Sequence, residues 1–222
     1  MPQTIITTNN LIDEWVNLEG YFSNNNYNPI DSQEIIYLKN TSNTSQKVLF
    51  CAPHALNHYR DNKLKIADVF TGSLCQLLSK NTNQPGLVST RPFKDSKNLG
   101  FGDNFINRIA DSVDRGLMVV DIHGMSDHYN CDICIGTGPN PSSRVTKLAD
   151  RIISDLPEYK VSINCPFDAV SKHTITNFVQ TKLMGDSIQI EIASRLRRPD
   201  RSVNDCQVFL TKTMNLINEY LV

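Results

Sequence analysis

Leu117-Met118-Val119-Val120-Asp121-Ile122-His123-Gly124 is the stretch whose reading decides the fold. It is the strongest strand signal in the chain, an apolar run from Leu117 to Ile122 that stops at a His-Gly turn. Toward the N-terminus the same kind of run recurs at Val48-Leu49-Phe50-Cys51-Ala52, which reads as a central strand, and at Leu87 to Thr90. Toward the C-terminus, strands are expected at Cys131 to Ile135, Val161 to Ile163 and Ser187 to Ile192. Between them lie longer stretches with helical apolar spacing, at Ile66 to Leu78, Asn104 to Val113, Arg144 to Leu156 and Val203 to Leu221. This alternation predicts an α/β three-layer sandwich: a mixed, mostly parallel sheet of roughly six to eight strands between two helical layers.

The first 45 residues are rich in Asn and Ser. Leu11 to Leu18 has the spacing of a short amphipathic helix, and Ser23-Asn24-Asn25-Asn26 reads as a surface loop. No repeat or interdomain linker follows, so the expectation is one domain over 1–222, with 1–45 as an extension packed on the core.

With 22 Lys+Arg against 23 Asp+Glu, the chain has no basic excess to offer a polyanion, and no nucleic-acid partner is expected. No run approaches the roughly 18 apolar residues of a membrane span, and the N-terminus lacks a basic region followed by an apolar one. The expectation is a cytoplasmic protein without a membrane partner, whose six cysteines are free thiols. Cys131 and Cys134 read as buried strand cysteines that point to opposite faces.

Sheets of this kind place ligands outside the carboxyl ends of their strands. Val48 to Ala52 runs into Pro53-His54, the central run carries Asp121 and ends in His123-Gly124, and the strand at Ser187 to Ile192 carries Glu191. Two strand-end histidines and a carboxylate are the raw material of a catalytic zinc site, which needs three N/O ligands and an open position. A separate glutamate takes the proton from water in such sites, and Asp121 is placed to hold a ligand imidazole. Glu191 lies in an apolar strand, where a carboxylate is costly to bury unless paired or used. The competing reading pairs it with Arg195, Arg197 or Arg198.

Ala52-Pro53-His54, Asp121-Ile122-His123-Gly124-Met125 and Gln189-Ile190-Glu191, with Arg197 six residues on, resemble the N-formylglutamate amidohydrolase group of the zinc-carboxypeptidase and aspartoacylase-like hydrolases. The resemblance spans Val48 to Arg197 in the same order. It implies a zinc-dependent hydrolase that cleaves the amide of a small N-acyl amino acid or a peptide-like substrate. His54 and His123 match metal ligands, and Glu191 matches the general base and acid. Arg197 is expected to stabilise the oxyanion, with Arg60 binding a substrate carboxylate. Thr174 is expected to contribute a hydroxyl to the pocket, and His128 to border its entrance. The chain departs from the family at the second ligand: many relatives place a glutamate three residues after the first histidine, where this sequence has Asn57. Asp68, at the start of the expected helix, then supplies the carboxylate, with His58 as a further option; otherwise the site has decayed to a metal-free binding module. Asp68 also has the look of a helix cap. A rival enzyme class would use Cys51 or Cys165 as nucleophile, although a thiol inside an apolar strand is normally inert.

Overall fold

The apolar run that begins at Leu117 becomes the strand around which the chain is arranged. In a computed structural model, which describes residues 8–29, 35–38, 46–60, 63–90 and 103–221, the first elements are α1 (Thr8–Ser23), β1 (Ile35–Leu38), β2 (Val48–Ala52), β3 (His58–Arg60), β4 (Lys63–Lys65), α2 (Thr71–Thr82) and β5 (Gly86–Ser89). There follow α3 (Asn104–Asp114), β6 (Met118–Met125), β7 (Ile133–Gly136), α4 (Ser143–Asp155), β8 (Val161–Ile163), α5 (Ile175–Lys182), β9 (Ser187–Ala193), α6 (Ser194–Arg197) and α7 (Val203–Leu221). The described residues form a seven-stranded sheet in the order β1-β5-β2-β6-β9-β7-β8, and β3 and β4 pair as a separate hairpin. β5, β2, β6 and β9 run parallel; β7 and β8 are parallel to each other, while β1 and β7 run antiparallel to β5 and β9. The sheet is mixed and mostly parallel, as the alternation of strands and helices predicts.

Register assigns chemistry to one face. Asp121 lies opposite Cys51 on β2 and Gln189 on β9, and His123 lies opposite Glu191. Because side chains alternate along a strand, these groups share the face that also carries Leu49 and Val119, packed on Phe105, Ile106 and Ile109 of α3 and Phe178 and Val179 of α5. The other face carries Val48, Phe50, Val120, Ile122 and Ile188 beneath Trp15 of α1, Leu74 and Leu78 of α2, Leu148 of α4 and Phe209 of α7. Two helical layers therefore enclose the sheet. The N-terminal helix is part of one of them, with Trp15 fully buried.

Three expectations are corrected. The helix expected from Ile66 starts at Thr71, because Phe70 takes a left-handed φ of 69° and the residues before it form a loop in which Ile66 is 75% exposed. Asp68 therefore stands ahead of the helix, and its carboxylate is not the cap. The strand expected from Cys131 starts at Ile133, so alternation has not begun at Cys131. Cys131 and Cys134 pack together with Met125 and Ala193 in one small cluster. The cysteines are free thiols, as expected. Among the described residues no helix is long and apolar enough to cross a membrane.

Candidate metal centre

Three chain segments deliver the site. β2 is buried along its whole length and runs into the turn that presents His54; β6 brings His123 to the carboxyl end of the sheet; and the loop between β4 and α2 presents Asp68. His54 Nδ1 and His123 Nδ1 lie 3.1 Å apart, and Asp68 Oδ2 lies 3.7 Å from the first and 3.4 Å from the second. Ligand atoms around a tetrahedral zinc, at bonds of about 2.05 Å, stand about 3.3 Å from one another. The triangle matches that spacing. Two imidazole nitrogens that face each other at 3.1 Å have no room for a proton on each, so the geometry calls for one shared proton or a cation between them. The residues present suit a metal ion: His54, Asp68 and His123 could hold it.

His123 Nε2 lies 3.0 Å from Asp121 Oδ2, a carboxylate with no exposed surface. That contact sets a carboxylate against Nε2 and leaves Nδ1 facing His54 and Asp68, the arrangement that in metal sites fixes the proton on the outer nitrogen and raises the basicity of the ligand one. Burial works against a charge on His123, but Asp121 and Asp68 outweigh it and hold the imidazole well above its ordinary pKa. Burial likewise works against ionisation of Asp68, yet the two histidines hold its carboxyl well below the usual carboxylate range. Among the described residues no opposite charge is bonded to Glu191. It accepts a hydrogen bond of 3.0 Å from Gln189 Nε2, and burial pushes its carboxyl up to about 7 despite the pull of His123. The expected alternative, an ion pair of Glu191 with Arg195, Arg197 or Arg198, is not among its described contacts: Arg195 pairs with Asp132 and Arg198 with Asp200.

The cleft over these groups is lined by His54, His58, Lys65, Ile66, Asp68, His123, Gly124, Met125, Ser126, His128, Tyr129, Phe167 and Glu191. It thus brings together His54, Asp68, His123 and Glu191 from the sequence reading. His128 borders it as an exposed side chain, and His58 stacks on His54 with ring centroids 4.2 Å apart.

Other expected site residues stand elsewhere. Asn57 Oδ1 accepts from Ala67 N and Asn57 Nδ2 donates to Asn26 O, which ties loops together away from the ligand atoms. Thr174 caps α5: its hydroxyl accepts from Asn177 N and donates to Ala169 O. Arg197 is committed to the carbonyls of Ile192, Val69 and Met125 and does not line the cleft, so its guanidinium is not open to an oxyanion. The side chain of Arg60 lies outside the described residues. Cys51 is fully buried beside Asp121, and burial pushes its thiol far above its ordinary pKa, which removes it as a nucleophile. Sequence reasoning missed Lys65, Tyr129 and Phe167, which sit on a hairpin and two loops without periodic signal. Gln189 was legible in principle, since it stands two residues before Glu191 and so on the same strand face.

Comparisons with known proteins bear on the fold. No family model matches the chain, and no curated protein matches it. Among solved structures, a gene product of Agrobacterium tumefaciens superposes with a TM-score of 0.57 at 15% identity, covering 86% of this chain and 94% of that one. A bacteriophage poly-gamma-glutamate hydrolase gives 0.51 at 14% identity, covering 86% of this chain and 89% of that one. N-formylglutamate amidohydrolase from Ralstonia eutropha JMP134 gives 0.50 at 13% identity, covering 84% of this chain and 99% of that one. The chain therefore has the fold of these structures, the one its strand-end motifs led us to expect.

Proposed function

We propose that the protein is a zinc-dependent amidohydrolase acting on the amide of a small N-acyl amino acid or a peptide-like substrate. The observation that carries this reading is the convergence of His54, Asp68 and His123 at ligand-to-ligand distances, with Glu191 on the same sheet face. Asp68 takes the place that the family's glutamate would have, and Asn57 does not. A zinc ion held there supplies Lewis acidity toward water and the amide carbonyl. Glu191 accepts the proton of the attacking water and returns it to the leaving nitrogen. A carboxyl near 7 suits that exchange, because acid–base catalysis is most efficient when the pKa lies close to the working pH. Tyr129 and Phe167 give the cleft an apolar flank. Lys65 lines it, so its cation can meet a substrate carboxylate.

A second reading, a metal-free small-ligand module, is favoured by one observation, the Asn57 departure. Elemental analysis separates the two. The hydrolase reading expects about one zinc per chain in the wild type, its loss in His123→Ala, and turnover of N-acyl amino acids that Glu191→Gln abolishes. A wild type that stays metal-free after zinc is added back overturns it and leaves the binding module.

A further inference from the structure

Asp68 is a ligand candidate on a loop, and a loop needs help to hold a side chain at a fixed distance from a strand. The help comes from two buried charges that the proposed reaction does not use. Glu19, 3% exposed on α1, accepts from Phe70 N at 2.8 Å, from Tyr27 Oη at 2.8 Å and from Ser73 Oγ at 2.6 Å. Phe70 itself offers α2 no side-chain cap, and the carboxylate from α1 instead ties the Phe70 N–H and the Ser73 hydroxyl of the first turn together. Arg197, 6% exposed, donates to Val69 O while also donating to Met125 O at 3.4 Å and Ile192 O at 3.1 Å. It thus ties the residue after Asp68 to the ends of β6 and β9, the strands that carry His123 and Glu191. A Cβ at residue 124 would overlap this guanidinium, so Gly124 gives it room. Two charges buried this deeply are costly unless their bonds are put to use. Their bonds converge on two consecutive residues, Val69 and Phe70, beside Asp68.

We propose that Glu19 and Arg197 are positioning residues for Asp68, holding the loop at 66–70 where its carboxylate meets His54 and His123. The inference rests on those three residues being metal ligands. Its test is the zinc dissociation constant, measured by competition with a chromophoric chelator alongside thermal melting. Glu19→Ala and Arg197→Met are expected to weaken zinc binding about 10-fold or more, the range seen when supporting partners of metal ligands are removed. Glu19→Gln keeps an oxygen for Phe70 N and Tyr27 Oη and stays close to the wild type. Leu148→Ala, in the core of α4, lowers the melting temperature and leaves zinc affinity unchanged, a contrast that a purely structural role for the clamp would not produce. Should the alanine or methionine variant fail to fold, Arg197→Lys reads the same quantity, because a lysine cannot reach three carbonyls at once; it is expected to bind zinc more weakly. If Asp68→Asn weakens binding but the clamp variants bind as the wild type does, the positioning role is wrong and the ligand reading stands. If the wild type does not bind zinc, or Asp68→Asn binds it equally well, both fall.

Discussion

In the proposed reaction Glu191 carries the proton transfers, and burial sets its behaviour. Its substitution by glutamine preserves shape and removes the proton acceptor, so turnover is expected to fall about 100-fold or more while zinc content stays at the wild-type level; steady-state kinetics with elemental analysis checks both. The raised pKa also makes a statement about stability. Between the ordinary glutamate value of 4.5 and about 7, the folded metal-free protein holds a proton on Glu191 that the unfolded chain has released, so stability is greatest below that window and declines as pH rises through it. The loss attributable to this group is on the order of 3 kcal/mol at most. Urea unfolding of the metal-free wild type and Glu191→Gln, from pH 5 to 8, should show the extra decline in the wild type alone. His54, His123 and Glu191 were legible in the sequence because strand ends are where such folds put chemistry. The actual place of Arg197 was not, since nothing in a sequence says which carbonyls a guanidinium will find.

Elements were legible where apolar residues recur in a regular pattern, in the long core elements and in the three-residue β8 alike. The core strands β2, β6 and β9 and the helices α3, α4 and α7 announce themselves by long apolar runs or full helical periods. α5 has eight residues, too few for a helical period to stand out, and the strands of the β3–β4 hairpin carry no apolar alternation. β1 lies in the Asn- and Ser-rich segment, where composition argued for a surface extension. The short α5 explains the misplaced role of Thr174, whose hydroxyl meets the first turn of that helix. Thr174→Ala is expected to cost about 1 kcal/mol of stability, the usual worth of a cap, with no change in KM; chemical denaturation beside a Michaelis curve decides it. A raised KM at unchanged stability would return Thr174 to the substrate pocket.

At the scale of the whole molecule, the N-terminal helix is built into the main core. Trp15 has no exposed surface, and its ring meets Phe70 edge to face at 6.0 Å. Trp15→Ala is expected to cost about 3–5 kcal/mol, and denaturation followed by intrinsic fluorescence in the wild type and by circular dichroism in both should show one transition, moved to lower urea in the variant. A separate early transition for α1 would mean that the first 45 residues fold apart from the rest. One further consequence lies in the strand order, when the sheet is considered as something made over time. β6 is complete at Met125 and β7 at Gly136, yet the strand that lies between them, β9, spans Ser187–Ala193. During synthesis the half-built sheet must wait with open edges for that late insertion, and open edges invite mispairing. The chain has its three candidate ligands in hand by His123, long before Glu191 has been made. A ribosome translating this message therefore makes the three candidate ligands well before Glu191 and Arg197, so the bond from Arg197 to Val69 that braces Asp68 forms only after β9 has been made.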